Sequence, residues 1–74
     1  MLLSVNTPMK GKDITELLEA YNENGVSFKF LKKTGLRHDF EVNGIDKDEA
    51  ISLVKKIIRA TPYGSALYFS VTAE

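Results

Sequence analysis

The stretch VSFKFLKKTGLRHDFEVN, residues 26–43, contains two runs in which large apolar residues occupy every second position. In the first run these positions extend from Val26 to Phe30, and in the second they include Phe40 and Val42. A period of two is typical of strands with one buried face. Gly35 lies between the runs and tolerates the positive φ that a tight turn requires. The stretch therefore predicts an antiparallel β-hairpin, around which the rest of the fold is predicted.

Apolar stripes with helical spacing lie on both sides of this hairpin. Each stripe follows an aspartate with a glutamate three residues later, a pair that caps the start of a helix. The two pairs are Asp13 with Glu16, and Asp46 with Glu49. They predict one helix over residues 13–24, ended by a left-handed Gly25, and a second helix that stops before Pro62.

Alternation resumes near both ends of the sequence. Leu3 and Val5 predict a first strand, and residues 67–72 predict a last one. The element order is then β-α-β-β-α-β in a single domain, residues 1–74, and right-handed crossovers place both helices on one sheet face. This layout resembles the ferredoxin-like fold, an α+β arrangement with a four-stranded antiparallel sheet of order 4-1-3-2. Unrelated activities share that arrangement, so the resemblance implies no function.

Composition narrows the class of protein. Apolar residues make up 43% of the 74 residues and charged residues 27%, as in ordinary water-soluble domains. Ten basic residues balance ten acidic ones, so no overall charge attracts nucleic acid or a lipid surface. The chain has no cysteine, which excludes disulfides and thiolate metal sites. With no signal-like or membrane-spanning run, we expect a cytoplasmic protein and no membrane partner.

The predicted topology nevertheless sorts the charges. It gathers three loops at one end of the sheet, called here the hairpin end: residues 8–12, residues 32–37 and the exit of the second helix. Lysines and arginines predominate there, next to the positive end of the first helix. We therefore predict an anion-binding site built from Lys10, Gly11, Lys12, Lys33 and Arg37. Helix-end preferences and the protection of edge strands account for the same charges without any ligand.

Other chemistry has little support in the sequence. His38 is the only histidine, and regular alternation puts Asp39 on the opposite sheet face, so we expect a structural histidine and no catalytic residue. Glu16, Glu19 and Glu23 share one surface of the first predicted helix, but exposed helices are commonly acidic. We therefore predict no metal site and no cofactor.

The sequence does not determine a specific function. We predict a small non-enzymatic binding or protein-interaction module that uses the hairpin end, with a protein partner or self-association both open. The alternative is a phosphate-handling enzyme that resembles acylphosphatases, or a nucleic-acid-binding domain using the same end. Residues 8–12 supply lysines where the acylphosphatase pattern has an arginine. The outward positions of the central strands lack the aromatic rings that stack on bases, so nucleic acid is not expected.

Overall fold

Strands and amphipathic helices account for most of the chain in the computed structural model, which describes residues 1–74. In chain order the elements are β1 (Leu2–Asn6), α1 (Gly11–Ala20), β2 (Asn22–Glu23), β3 (Val26–Thr34), β4 (Arg37–Asn43), α2 (Lys47–Arg59) and β5 (Ser70–Ala73). Neither helix is long and apolar enough to cross a membrane. The Cα radius of gyration is 11.0 Å, close to the value of about 11 Å expected for one globular domain of this length.

The strands form one antiparallel sheet in the order β2-β3-β4-β1-β5. The predicted α+β class, with two helices and an antiparallel sheet, is confirmed. The prediction of four strands is wrong, because Asn24 and Gly25 do not end a helix. Both have positive φ, 55° and 76°, and they form the two-residue turn of a β2–β3 hairpin. Asn-Gly is favoured in such turns because both central residues need φ above zero.

The two helices differ in how well their starts are predicted. Asp46 caps α2 as expected, since its side chain accepts a hydrogen bond of 2.9 Å from the Glu49 amide. The predicted cap Asp13 is wrong, because α1 begins at Gly11. Its N-cap residue is Lys10, which has a φ of 64° and makes no side-chain capping bond. The end is also earlier than predicted, at Ala20, because the chain turns there into β2.

The core lies between one face of the sheet and both helices. Twelve hydrophobic residues are buried, and all of them occupy positions at which the sequence pattern predicts an inward side chain. They are Leu3, Val5, Ile14, Leu18, Val26, Phe28, Phe40, Val42, Ala50, Val54, Ile58 and Val71. Members from α1 and α2 belong to the same cluster as those from the strands, so the helices share one side of the sheet. We call this the helix side, and the other the open side.

The last strand is shorter than predicted, since β5 begins at Ser70 and excludes residues 67–69. Its only partner in the sheet is β1, in which Asn6 is the last residue and pairs with Ser70. The next residue of the chain, Thr7, donates its backbone N–H to the Leu36 carbonyl at 3.0 Å. Phe69 therefore has no strand residue opposite it, and alternation alone overestimates the length of β5.

Candidate functional site

A cavity of about 330 Å³ opens on the helix side, between the first turns of α1 and the β3–β4 hairpin. We call it the cleft. Its lining is polar except for one aromatic ring, and it consists of Lys12, Thr15, Glu16, Phe30, Lys33 and His38. The volume lies at the lower end of the range for small-molecule sites in proteins.

An irregularity in β3 brings Lys33 to this cleft. The β3–β4 register runs regularly to the pair Phe30–Phe40 and then continues with Lys32 opposite Asp39, so Leu31 is an extra residue in a β-bulge. Directly opposed residues of antiparallel strands lie on the same face. Lys33, opposite His38, therefore lies on the helix side, whereas uninterrupted alternation from Phe30 would place it on the open side.

His38 forms the inner end of the cleft. It is 4% exposed, and its Nδ1 lies 3.1 Å from the Leu36 carbonyl oxygen. A carbonyl oxygen can only accept, so Nδ1 donates the proton of this bond. No protein group hydrogen-bonds the other ring nitrogen, Nε2, which is also not sealed away from solvent. In the neutral imidazole with its proton on Nδ1, Nε2 is a hydrogen-bond acceptor, and Gly11 packs against it.

The start of α1 packs directly on this ring. A Cβ atom placed on Gly11 would overlap Nε2 and Cε1 of His38, so only glycine permits the observed approach. The helix is held at this point by its own hydrogen bonds, in which the Ile14 amide donates to the Lys10 carbonyl at 2.9 Å and the Thr15 hydroxyl to the Gly11 carbonyl at 2.8 Å. Gly11 thereby sets the position of the helix start against the cleft.

The charged side chains of the cleft have no ionic partners. The ion pairs of the protein join the Met1 amino group to Glu41, Lys10 to Asp13 and Arg37 to Asp39. Lys12, Lys33 and Glu16 take part in none of them, although all three line the same cavity. Two ammonium groups and one carboxylate therefore remain available to a ligand.

Of the five residues predicted for anion binding, the structure brings three together. Lys12 and Lys33 line the cleft, and Gly11 packs against its histidine. Lys10 lies apart from them, with its ammonium 3.9 Å from the Asp13 carboxylate and 5.6 Å from the centre of the Tyr63 ring. Arg37 lies on the open side, because it is next to His38 in a regular strand.

Arg37 belongs to a second polar cluster, called here the open-side cluster, which sequence reasoning missed. Its centre is Asp39, only 2% exposed although no helix covers that side. The carboxylate accepts hydrogen bonds from Arg37 Nε at 2.8 Å, Arg37 Nη2 at 3.3 Å and the Ser4 hydroxyl at 2.7 Å. The bonds from Arg37 and then from Ser4 lower the pKa of Asp39, and the same carboxylate raises the pKa of Arg37.

The acidic surface predicted for the first helix is divided in the structure. Glu16 lines the cleft and Glu19 lies one turn further along α1, where its carboxylate is 3.4 Å from the Phe30 amide. Glu23 is outside the helix, in β2. The prediction that these three share a helix surface is therefore wrong, for the same reason that α1 is shorter than predicted. No group of three or more acidic or histidine side chains has an arrangement that could hold a metal ion.

Comparison of the chain with protein-family models, with curated proteins and with solved structures finds no match.

Proposed function

We propose that this protein is a small non-enzymatic binding module that takes an anionic group, of a small ligand or a protein partner, into the cleft. The observation that carries the proposal is that Lys12 and Lys33 line one cavity and that neither lysine forms an ion pair. Unpaired ammonium groups at one cavity attract an anion that neutralises both.

Backbone groups add to this attraction. The first amides of a helix have no acceptor within it, and the positive end of the helix dipole lies there. In α1 the first amide that bonds within the helix is that of Ile14. The amides of Gly11, Lys12 and Asp13 precede it, and Gly11 packs against the imidazole of His38. We therefore expect the start of α1 to add to the attraction of the two lysines for an anion.

For the fold, we propose a ferredoxin-like core with an added edge strand. Without the two-residue β2, the remaining strands neighbour one another in the order β3-β4-β1-β5. This corresponds to the 4-1-3-2 order of a β-α-β-β-α-β chain. In such a chain the start of α1 and the β3–β4 turn lie at the same end of the sheet, which supports a binding site between them.

The test is a titration of the ¹⁵N-labelled protein with inorganic phosphate at low salt, followed by two-dimensional NMR. We expect shifts concentrated in residues 11–16 and 30–38, weakening as the salt concentration rises. The Lys12→Gln/Lys33→Gln variant should lose them. The matched control is Lys55→Gln/Lys56→Gln, because these lysines line a separate groove on α2 and should leave the shifts unchanged.

The proposal fails if phosphate produces no shifts at low salt, or if the cleft variant responds like the wild type. The enzyme alternative is separated by a second assay, hydrolysis of an acyl phosphate. Arg37, the arginine closest in sequence to the cleft residues, is held by Asp39 on the other side of the sheet. We therefore expect phosphate binding without turnover, and turnover abolished by Lys12→Gln/Lys33→Gln would favour the enzyme.

A further inference from the structure

Glu16 is the one cleft residue that a purely anionic ligand does not explain. Its carboxylate lines the same cavity as Lys12 and Lys33 but forms an ion pair with neither. A fixed negative charge beside a bound anion weakens binding by Coulomb repulsion. A site built for an anion alone would bind more tightly without this side chain.

The charges of the cleft are ordered along α1. Lys12 and the histidine lie at the start of the helix, where Gly11 touches the His38 ring. Glu16 follows Lys12 by one turn, which corresponds to a rise of about 6 Å along the axis. The next acidic residue of α1, Glu19, accepts a hydrogen bond from the Phe30 amide, so this side of α1 faces β3. The cleft is thus positive near the β3–β4 turn, where Lys12 and Lys33 lie, and negative where Glu16 lies.

Uncharged groups of the cleft add a hydrogen-bond acceptor and an apolar surface. Toward Glu16, the Thr15 hydroxyl donates its proton to the Gly11 carbonyl and so offers only its lone pairs to a ligand. Glu16 and Thr15 together therefore present acceptors, and Phe30 offers an apolar surface in the same cleft.

From this arrangement we infer that the ligand of the cleft is a small zwitterion, in which a short aliphatic chain joins an anionic group to a primary ammonium group. The inference rests on the proposed function and specifies its ligand. The anionic group binds Lys12 and Lys33, and the ammonium group donates to Glu16 and Thr15. An aminoalkyl phosphate has this chemistry.

The experiment compares O-phosphoethanolamine with ethyl phosphate, which has the same anionic group and no ammonium. Affinities are measured by NMR titration for the wild type, for Glu16→Gln and for the matched control Glu19→Gln, one turn away and outside the cleft. The wild type should bind O-phosphoethanolamine about two- to fivefold more tightly, as an exposed ion pair allows. Glu16→Gln should lower the affinity for O-phosphoethanolamine and raise the affinity for ethyl phosphate. Glu19→Gln should change neither affinity.

Opposite changes for the two ligands are the outcome that supports the inference. If Glu16→Gln raises the affinity for both ligands, or if the wild type binds both equally, the ligand is not a zwitterion and the proposal of anion binding is unaffected. If neither ligand binds at low salt, the proposed function itself fails. Co-sedimentation with phosphatidylethanolamine vesicles identifies the source of the ligand. Glu16-dependent capture indicates a lipid headgroup, and binding of the free compound alone indicates a soluble metabolite.

Discussion

His38 and Asp39 are neighbours in β4, yet they belong to two polar clusters on opposite sides of the sheet. The clusters differ in whether their charged groups have partners. In the open-side cluster each polar group has a partner, since Arg37 and Ser4 both donate to Asp39. In the cleft, on the helix side, Lys12, Lys33 and Glu16 have none. Paired groups at a buried carboxylate contribute to stability, whereas unpaired charges around a cavity contribute little to it and are available for binding.

The largest expected effect comes from a residue on which both clusters depend. Phe40 is fully buried next to Asp39 and packs on Phe30 with ring centres 5.7 Å apart. Phe40→Ala should lower the free energy of unfolding by about 3–5 kcal/mol, through lost burial and a residual cavity. Urea denaturation followed by circular dichroism measures this loss. A decrease below about 1 kcal/mol would mean that β4 is not central to the core.

Disrupting the open-side cluster should lower the free energy of unfolding by a smaller amount, and this decrease should depend on pH. Asp39→Asn leaves Arg37 without its carboxylate, and we expect a loss of about 1–3 kcal/mol at neutral pH. Because the pKa of Asp39 is lowered in the folded protein, its contribution is complete above the ordinary aspartate pKa of about 4. The contribution then falls as the pH drops through the lowered value.

The measurement for this variant is thermal unfolding from pH 7 to pH 2, with Glu23→Gln as the control at an exposed position without an ion pair. The stability difference between wild type and Asp39→Asn should shrink toward acid pH, and Glu23→Gln should stay within about 0.5 kcal/mol of the wild type. A difference that stays constant across this range would contradict the role of the charge.

The contact between α1 and the cleft histidine gives a third prediction. Alanine is a better helix former than glycine by up to about 1 kcal/mol, so Gly11→Ala would stabilise a free helix. Here the new Cβ would overlap the His38 ring, and we expect a loss of about 1–3 kcal/mol together with weaker phosphate binding. In a His38→Ala background the same change should become neutral or stabilising. Equal effects in the two backgrounds, measured by urea denaturation, would exclude the contact.

The smallest expected effect tests the register on the hairpin-turn side of the bulge, which places Lys33 opposite His38. Deletion of Leu31 removes the extra residue and leaves Lys32 opposite Asp39 and Lys33 opposite His38, so both lysines keep their sides. Leu31 is 49% exposed, and we expect stability to change by less than about 1 kcal/mol, with phosphate binding retained. Leu31→Ala is the control that keeps the bulge. A folded deletion variant that no longer binds phosphate would show that Lys33 had changed sides.

Much of this architecture follows from patterns that are local in the sequence. Alternation identified every buried hydrophobic residue of the strands, and the cap at Asp46 is correct because a capping box is satisfied within four residues. The errors have physical causes. Asn24-Gly25 serves a helix end or a hairpin turn equally well, and only pairing of Glu23 with Val26 selects the hairpin. Asp13 does not cap α1, because the helix starts two residues earlier, at Gly11, which packs on His38 from a distant strand.

The sequence by itself determined the class of the fold, the inward hydrophobic residues of β1, β3, β4 and β5, and the presence of lysines near the hairpin turn. It did not determine which lysines meet. That depends on the bulge at Leu31, which reverses the side of every later residue of β3. Nor did it determine the open-side cluster, which depends on the register that pairs Asp39 with Ser4. Both are outcomes of strand pairing between residues distant in the chain, and period-two patterns carry no information about where a strand gains a residue.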